Sequence, residues 1–425
     1  MRRRFSHLAL FAATALLCLL AIDRIVYWYF PLGRIVYRTD PVQLYGYIPG
    51  ASKFFIHGAE NGGEWISVNI NDHGHRGVDL ERKSEELRVL VFGDSYVAAE
   101  YSPLEETYTH QLSGELRRST GQAVEIINAG LVGAGPDQVA RAMPQEIKDH
   151  EPDILVVVIT SGNDFGDLIR NKLYGVDRNG KAISKNPELG PGLQKMLEPD
   201  LFSKSGWGRL IRAAWRGTPL RMEQVGLAQH PRPPAGQQDA RQLLRRHQLE
   251  YGNSQIDLDP VVRNLFDDLY DADLSLLPHS DSARRKRLLM RIVLTEIKAI
   301  AEKARLPLLV VVVPSPIDVI EDHFGLQARW NRFPEYDRRA LSQAASKPAQ
   351  AMGLPVLDLF ASMHEAADPA SLFFKAGNDH WNSKGQALAA NMTAKRLKEL
   401  GWLQREGRTA VGVPLFPSPA GGPSP

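Results

Sequence analysis

Between about residue 85 and residue 400, apolar runs alternate with amphipathic stretches. The runs Arg88–Phe92, Val124–Asn128, Ile154–Thr160, Pro307–Val313 and Pro355–Leu359 are mostly unbroken aliphatics. Strands covered on both faces have this character. Between them, Tyr108–Arg118 and Pro136–Asp149 read as helices, and Arg284–Arg305 places Leu288, Ile292, Val293, Ile297 and Ile300 on one helical stripe. A last helix is predicted from Ser383 to Leu400, ending at Gly401. Such alternation predicts an α/β domain over residues 85–405 with a parallel sheet. Residues 31–84 are rich in Gly, Tyr and Asn without helical periodicity, which predicts short strands and turns leading into that domain. The alternation stops between about Leu168 and Ser282, a stretch holding Trp207, Trp215, Pro231–Pro234 and the polar run Arg241–Arg246. It is expected to be a mostly helical insertion over the sheet's carboxyl edge, with a disordered linker as the alternative. The tail, residues 406–425, is rich in Pro, Gly and Ser and is expected to be disordered.

One apolar run stands apart from this pattern. Leu8 to Ile22 follows Arg2, Arg3 and Arg4 and precedes Tyr27, Trp28, Tyr29 and Phe30. Cations on one flank and aromatics on the other suit a membrane span with its basic end in the cytoplasm. The run is slightly shorter than the roughly 20 residues a span prefers, and bent lipid or snorkelling ends absorb such a deficit. A cleaved signal peptide is the rival, but no small-x-small site follows the run. Residues 1–30 are therefore expected to be an uncleaved anchor, with everything beyond on the far side of the membrane. The lone cysteine, Cys18, lies inside this run, which rules out disulfides and thiolate metal sites within the chain. A net charge of +2 over 425 residues gives no reason to expect a nucleic-acid partner.

The chemistry sits at strand ends. Val89–Phe92 runs into Gly93-Asp94-Ser95, where Gly93 is expected to let the chain turn sharply and to leave Ser95 at a helix N-terminus. Amide groups exposed there can hold a developing negative charge, so Ser95 is a candidate nucleophile; its bland role is a helix cap. The second run closes on Asn128–Gly135, whose glycines could let a backbone N–H approach a substrate. The third closes on Thr160-Ser161-Gly162-Asn163-Asp164, whose Asn163 amide is a second candidate oxyanion donor. Before the last helix, Asn378-Asp379-His380-Trp381-Asn382 offers a histidine as general base with an acid beside it. Two further histidines, His73 and His75, lack an evident third ligand; they are read as surface turn residues, and no metal or cofactor is expected.

Serine, glycine loop and Gly-Asn-Asp follow one another at the carboxyl ends of predicted parallel strands, and Asp-His comes after them in the loop before the last helix. This order resembles the SGNH, or GDSL, hydrolase family over residues 85–400, the insertion excepted. The resemblance implies a flavodoxin-like three-layer α/β/α sandwich with Ser95 as nucleophile and His380 as base. It further implies an oxyanion hole from the Ser95 N–H, the Gly133 N–H and the Asn163 amide. No Gly-x-Ser-x-Gly elbow is present, which argues against an α/β-hydrolase. The family's acid usually stands three or two residues before the histidine. Here those places hold Gly377 and Asn378, so Asp379 is expected to orient His380, with Asn378, a distant acid or no orienter as alternatives. Trp381 and the segment Asn69–Gly77 resemble membrane-anchored bacterial members that handle acyl groups on envelope polysaccharides.

These features lead to an expected serine esterase or O-acyltransferase, most simply for acetyl groups, acting on envelope carbohydrate. It would be held in the bacterial inner membrane by one span, with its domain on the periplasmic side. The competing reading is a non-catalytic module that binds polysaccharide or an envelope assembly partner; a soluble lipase is less favoured, because neither the anchor nor the insertion suggests a lipid groove.

Overall fold

The computed structural model describes residues 2–29, 36–57, 61–80, 86–177, 182–185, 205–208, 211, 271, 273–276, 278–279, 281–321, 334–375 and 378–403. The tail and most of the expected insertion, including Trp215, Pro231–Pro234 and Arg241–Arg246, lie outside these residues, as does Gly377.

Helix α1 spans Arg2–Tyr29. Its segment Ser6–Tyr27 is long and apolar enough to cross a membrane, a property a signal sequence shares. Leu8, Leu10, Phe11, Leu16 and Leu17 on it stand more than half exposed, so nothing among the described residues covers this surface. Its one buried acid, Asp23, accepts a hydrogen bond from the Trp207 N–H at 2.9 Å.

Two antiparallel hairpins follow, β1 (Tyr37–Asp40) with β2 (Leu44–Tyr47), and β3 (Ser52–Ile56) with β4 (Trp65–Asn69). On β4, Ile66 and Val68 are buried while Trp65, Ser67 and Asn69 face out, the alternation of a strand with one covered face.

The core begins at β5 (Leu87–Gly93), followed by the short helix α2 (Ser95–Ala98), α3 (Tyr108–Thr120), β6 (Val124–Gly130), α4 (Pro136–His150), β7 (Ile154–Thr160) and α5 (Asp164–Asn171). A small ribbon, β8 (Tyr174–Val176) with β9 (Ala182–Ser184), comes next. After it come α6 (Asp281–Ala304), β10 (Leu308–Val313), α7 (Ala340–Ala351), β11 (Val356–Asp358) and α8 (Ser383–Glu399). The five core strands pair in parallel in the order β6-β5-β7-β10-β11, the flavodoxin-like arrangement. Although the runs are unbroken aliphatics, alternate residues serve opposite layers. Leu90, Phe92, Leu155, Val157, Val310 and Val312 pack with α4, α5, α6 and α7 and with the hairpins. Val89, Val91, Val156, Val158, Leu309 and Val311 pack with α3 and α8. The order reverses between β5 and β7, so the loops after those two strands face one crevice at the carboxyl edge.

Two expectations are corrected. Gly93 is not needed for its torsion: its φ is ordinary, and the left-handed residue of this turn is Ala99, at φ 49°. It is needed for space, since a Cβ there would come within 2.4 Å of the Val97 Cγ2. Gly130, on the neighbouring strand, is tighter still, with a Cβ falling 2.4 Å from the Ala98 N and 2.8 Å from the Val97 carbonyl carbon. These are backbone atoms that cannot rotate away. Gly130→Ala is expected to destabilise the fold by roughly 1–3 kcal/mol, read as a lowered Tm, because α2 must lift off the sheet. The second correction concerns His75. It is only 7% exposed, drawn inward because its ring meets Glu146 and His150 on α4.

Candidate active site

Ser95 opens α2 directly beyond β5, and Asp94 caps that helix. The Tyr96 N–H (2.9 Å) and Thr160 Oγ1 (3.0 Å) donate to Asp94 Oδ1, and the Asn163 side-chain amide donates to Oδ2 at 3.1 Å. One carboxylate thus ties the loops after β5 and β7 together. Burial raises its pKa, and these hydrogen bonds oppose the rise. The far end of the turn is held by Arg76, which donates to the carbonyls of Ala98, Ala99 and Ser102. Burial lowers this guanidinium to about 10, so it stays a cation at neutral pH.

The histidine arrives from the loop before α8. Asn382 caps that helix, accepting from Lys384 N (2.9 Å) and Gly385 N (3.3 Å), while its amide donates to Ser371 O and Phe373 O, each at 2.9 Å. Trp381, 1% exposed, donates its indole N–H to Tyr96 O at 3.0 Å. The Tyr96 ring stacks on the imidazole with centroids 4.8 Å apart, and the Tyr101 ring closes the other approach at 4.5 Å. So wedged, His380 Nε2 lies 2.7 Å from Ser95 Oγ, and Nδ1 lies 2.8 Å from Asn378 Oδ1. The amide cannot be the other way round, because the same Oδ1 accepts the His380 backbone N–H at 3.1 Å. Nδ1 therefore carries the ring proton, and Nε2 offers its lone pair to the Ser95 hydroxyl. Burial pushes the imidazole down to about 4, against the opposing charges of Asp379 and Glu100, so the ring is neutral over the ordinary pH range.

The remaining predicted residues sit as follows. It is Asn378, not Asp379, that meets Nδ1; Asp379 acts on the ring by charge, and its carbonyl accepts from the Tyr96 hydroxyl at 2.5 Å. Asn163 stands one step from Ser95, through Asp94, and its amide also reaches Asp167 Oδ2 at 3.3 Å. Gly133 takes the left-handed conformation, φ 71°, and its carbonyl accepts from Arg170.

Residues 269–417, which carry the histidine block, match the family model described as SGNH hydrolase-like domain, acetyltransferase AlgX. Over that stretch the chain is similar to an SGNH hydrolase-like domain. No curated relative matches the sequence. Solved structures similar to this chain include the lipase/acylhydrolase from Enterococcus faecalis, 12% identical over 74% of this chain and 96% of that one, with a TM-score of 0.34. Another is Axe2, an acetylxylan esterase from Geobacillus stearothermophilus, 11% identical over 76% of this chain and 98% of that one, with a TM-score of 0.35.

Sequence reasoning did not find Tyr96, Tyr101 or Arg76 in this site. The two tyrosines flank Ser95 closely in sequence and could have been tested as ring partners for His380. Arg76 gave no signal of its own.

Proposed function

We propose that the protein is a membrane-anchored serine esterase or O-acyltransferase that takes acyl groups, acetyl foremost, from cell-envelope carbohydrate. The observation that carries this reading is the unbroken relay Asn378–His380–Ser95. In it, Ser95 Oγ attacks the ester carbonyl while its proton passes to His380 Nε2. The oxyanion is met by the Ser95 N–H and, by family resemblance, by the Gly133 N–H and the Asn163 amide, which gives up its longer bond to Asp167. Collapse expels the sugar oxygen, which takes the proton from Nε2 and leaves an acyl group on Ser95. Water or a second sugar hydroxyl, deprotonated by the same nitrogen, then removes it.

A carbohydrate substrate is supported by a cleft of about 590 Å³ beside the relay. Its wall includes His57, Tyr101, Phe374 and Lys375, and Tyr101 is the ring that also packs on His380. Aromatic and polar groups together suit the apolar faces and hydroxyls of a sugar. The matched family's description as an acetyltransferase supports acetyl as the group transferred. Helix α1, with Arg2–Arg4 at its head, supports an inner-membrane anchor and a periplasmic domain.

Two measurements test the reading. Purified protein given an acetylated chromogenic ester, with and without an oligosaccharide acceptor, should release the chromophore; acetylated acceptor marks a transferase and free acetate an esterase. Phe374→Ala should raise KM for an acetylated oligosaccharide roughly 3- to 10-fold, the worth of one aromatic face, and leave a small chromogenic ester unaffected. A second reading, a glycan-binding module without turnover, is favoured by the amide where the family has an acid. It predicts glycan binding that survives Ser95→Ala with no ester cleaved by either protein.

A further inference from the structure

On the hairpin side of the sheet, away from Ser95, three side chains converge on one point. His75 Nε2 lies 2.8 Å from Glu146 Oε2 and 3.0 Å from His150 Nε2, and His150 Nε2 lies 3.2 Å from the same Glu146 oxygen. We propose that His75, Glu146 and His150 form a binding site for one divalent transition-metal ion of the zinc class.

The donor set comes first in the argument. Two imidazoles and one carboxylate are a recurrent zinc triad that leaves a fourth position for water or another ligand. In a tetrahedral site with bonds of about 2.0–2.1 Å, ligand atoms stand roughly 3.3 Å apart, so the observed triangle needs to open by only a few tenths of an ångström. Without an ion the arrangement is awkward, because both imidazoles present Nε2 to each other and only one proton fits between them.

The second strand of the argument is preorganisation. Glu146 and His150 stand four residues apart on α4, one above the other on one helix face. His75 is delivered by a turn built for the purpose. Asn71 Oδ1 accepts from the backbone of His73 (3.1 Å) and His75 (2.9 Å), and its amide donates to Val78 O at 3.1 Å. Gly74, at φ 85°, lets the chain bend there. The His150 carbonyl is fixed in turn by Arg88 at 3.0 Å.

Access and exclusion are both present. His75 and His150 are 7% and 4% exposed, whereas the Glu146 side chain is 21% exposed. All but His150 border a cavity of about 240 Å³ that also touches His73 and Asp149. The cavity leads an ion in and leaves room for a fourth ligand. The His73 ring, 5.0 Å from that of His150, is one side chain that could serve.

The site has a structural consequence. The residue after His75 is Arg76, the cation that holds the three carbonyls beyond Ser95. An ion clamping His75 to α4 fixes the turn from which Arg76 reaches, so the metal acts as a positioning element and touches no reacting atom.

The test uses the full-length, tag-free protein in detergent, stripped with a chelator and then titrated with zinc chloride by calorimetry. The expected result is one zinc per chain and a raised Tm. Glu146→Gln and His150→Ala should each weaken binding at least about 100-fold. Cobalt(II) should give the intense visible bands of a tetrahedral site in the wild type, and Glu146→Gln, which preserves shape, should lose them. Ser95→Ala should bind zinc like the wild type, which keeps this result separate from the fate of the esterase reading. Absence of stoichiometric zinc, or equal zinc affinity in wild type, Glu146→Gln and His150→Ala, overturns the proposal.

Discussion

Ser95→Ala is expected to lower kcat on an acetyl ester by roughly 10⁴- to 10⁶-fold while leaving the fold intact, the scale on which serine hydrolases lose rate when the nucleophile goes. Ser95 is 9% exposed and its hydroxyl is held 2.7 Å from His380 Nε2, so its removal deletes an attacking atom and little packing. Asp94 keeps its bonds to Tyr96, Thr160 and Asn163, and α2 keeps its cap. Tm should therefore move by no more than a few degrees. His380→Ala should cost a similar factor, and the double variant little more than either single one, because base and nucleophile act as one unit. Steady-state kinetics with near-ultraviolet circular dichroism as the folding control decides the matter. Turnover within tenfold of wild type in folded Ser95→Ala would mean that another group carries the acyl chain, and the proposed mechanism would fail.

The sheet was legible because a strand covered on both faces must be apolar along its whole length. Ile154–Thr160 begins and ends where its aliphatic run does, and α4 and α8 match their stripes to within one residue. The encounter of Ser95 with His380 was legible for a topological reason. Loops at the carboxyl ends of parallel strands share one rim, so residues 285 apart in the chain could be placed together without knowing any contact. What escaped were matters of atomic reach. The sequence reading favoured Asp379 by chemistry, but a loop that folds the residue-378 side chain back onto the His380 N–H puts Oδ1 of that residue, whatever it is, beside Nδ1. His75 looked exposed because its partners lie on a helix 71 and 75 residues away. Gly93 was assigned a torsional role when its demand is steric, a distinction that depends on where Val97 falls.

Asn378→Asp is expected to raise kcat roughly 10- to 1,000-fold at neutral to alkaline pH and to move the acid limb of kcat/KM upward. Proton transfer from Ser95 turns the imidazole into a cation, and the group at Nδ1 decides how well that cation is tolerated. A neutral amide oxygen at 2.8 Å orients the ring but lends it only a dipole, whereas a carboxylate there would supply a full charge. The substitution sacrifices no bond. Oδ1 continues to accept the His380 N–H, and the buried Nδ2 it replaces has no hydrogen-bond partner among the described residues. The pH effect follows from the groups that face the ring: Tyr96 stacks on it, Tyr101 packs against it at a tilt, and among the described residues Asp379 and Glu100 oppose its burial by charge. With the imidazole at about 4, the wild-type base is neutral, and competent, above that pH. A carboxylate in contact raises a histidine by roughly 1–3 units. The limb in the variant should then fall nearer 5–7, so that its advantage over wild type grows with pH and shrinks or reverses in acid. Profiles of kcat/KM for the two proteins on the same chromogenic ester measure both effects at once. Coincident limbs and equal kcat would show that residue 378 does not act on the imidazole during turnover, and would remove Asn378 from the relay.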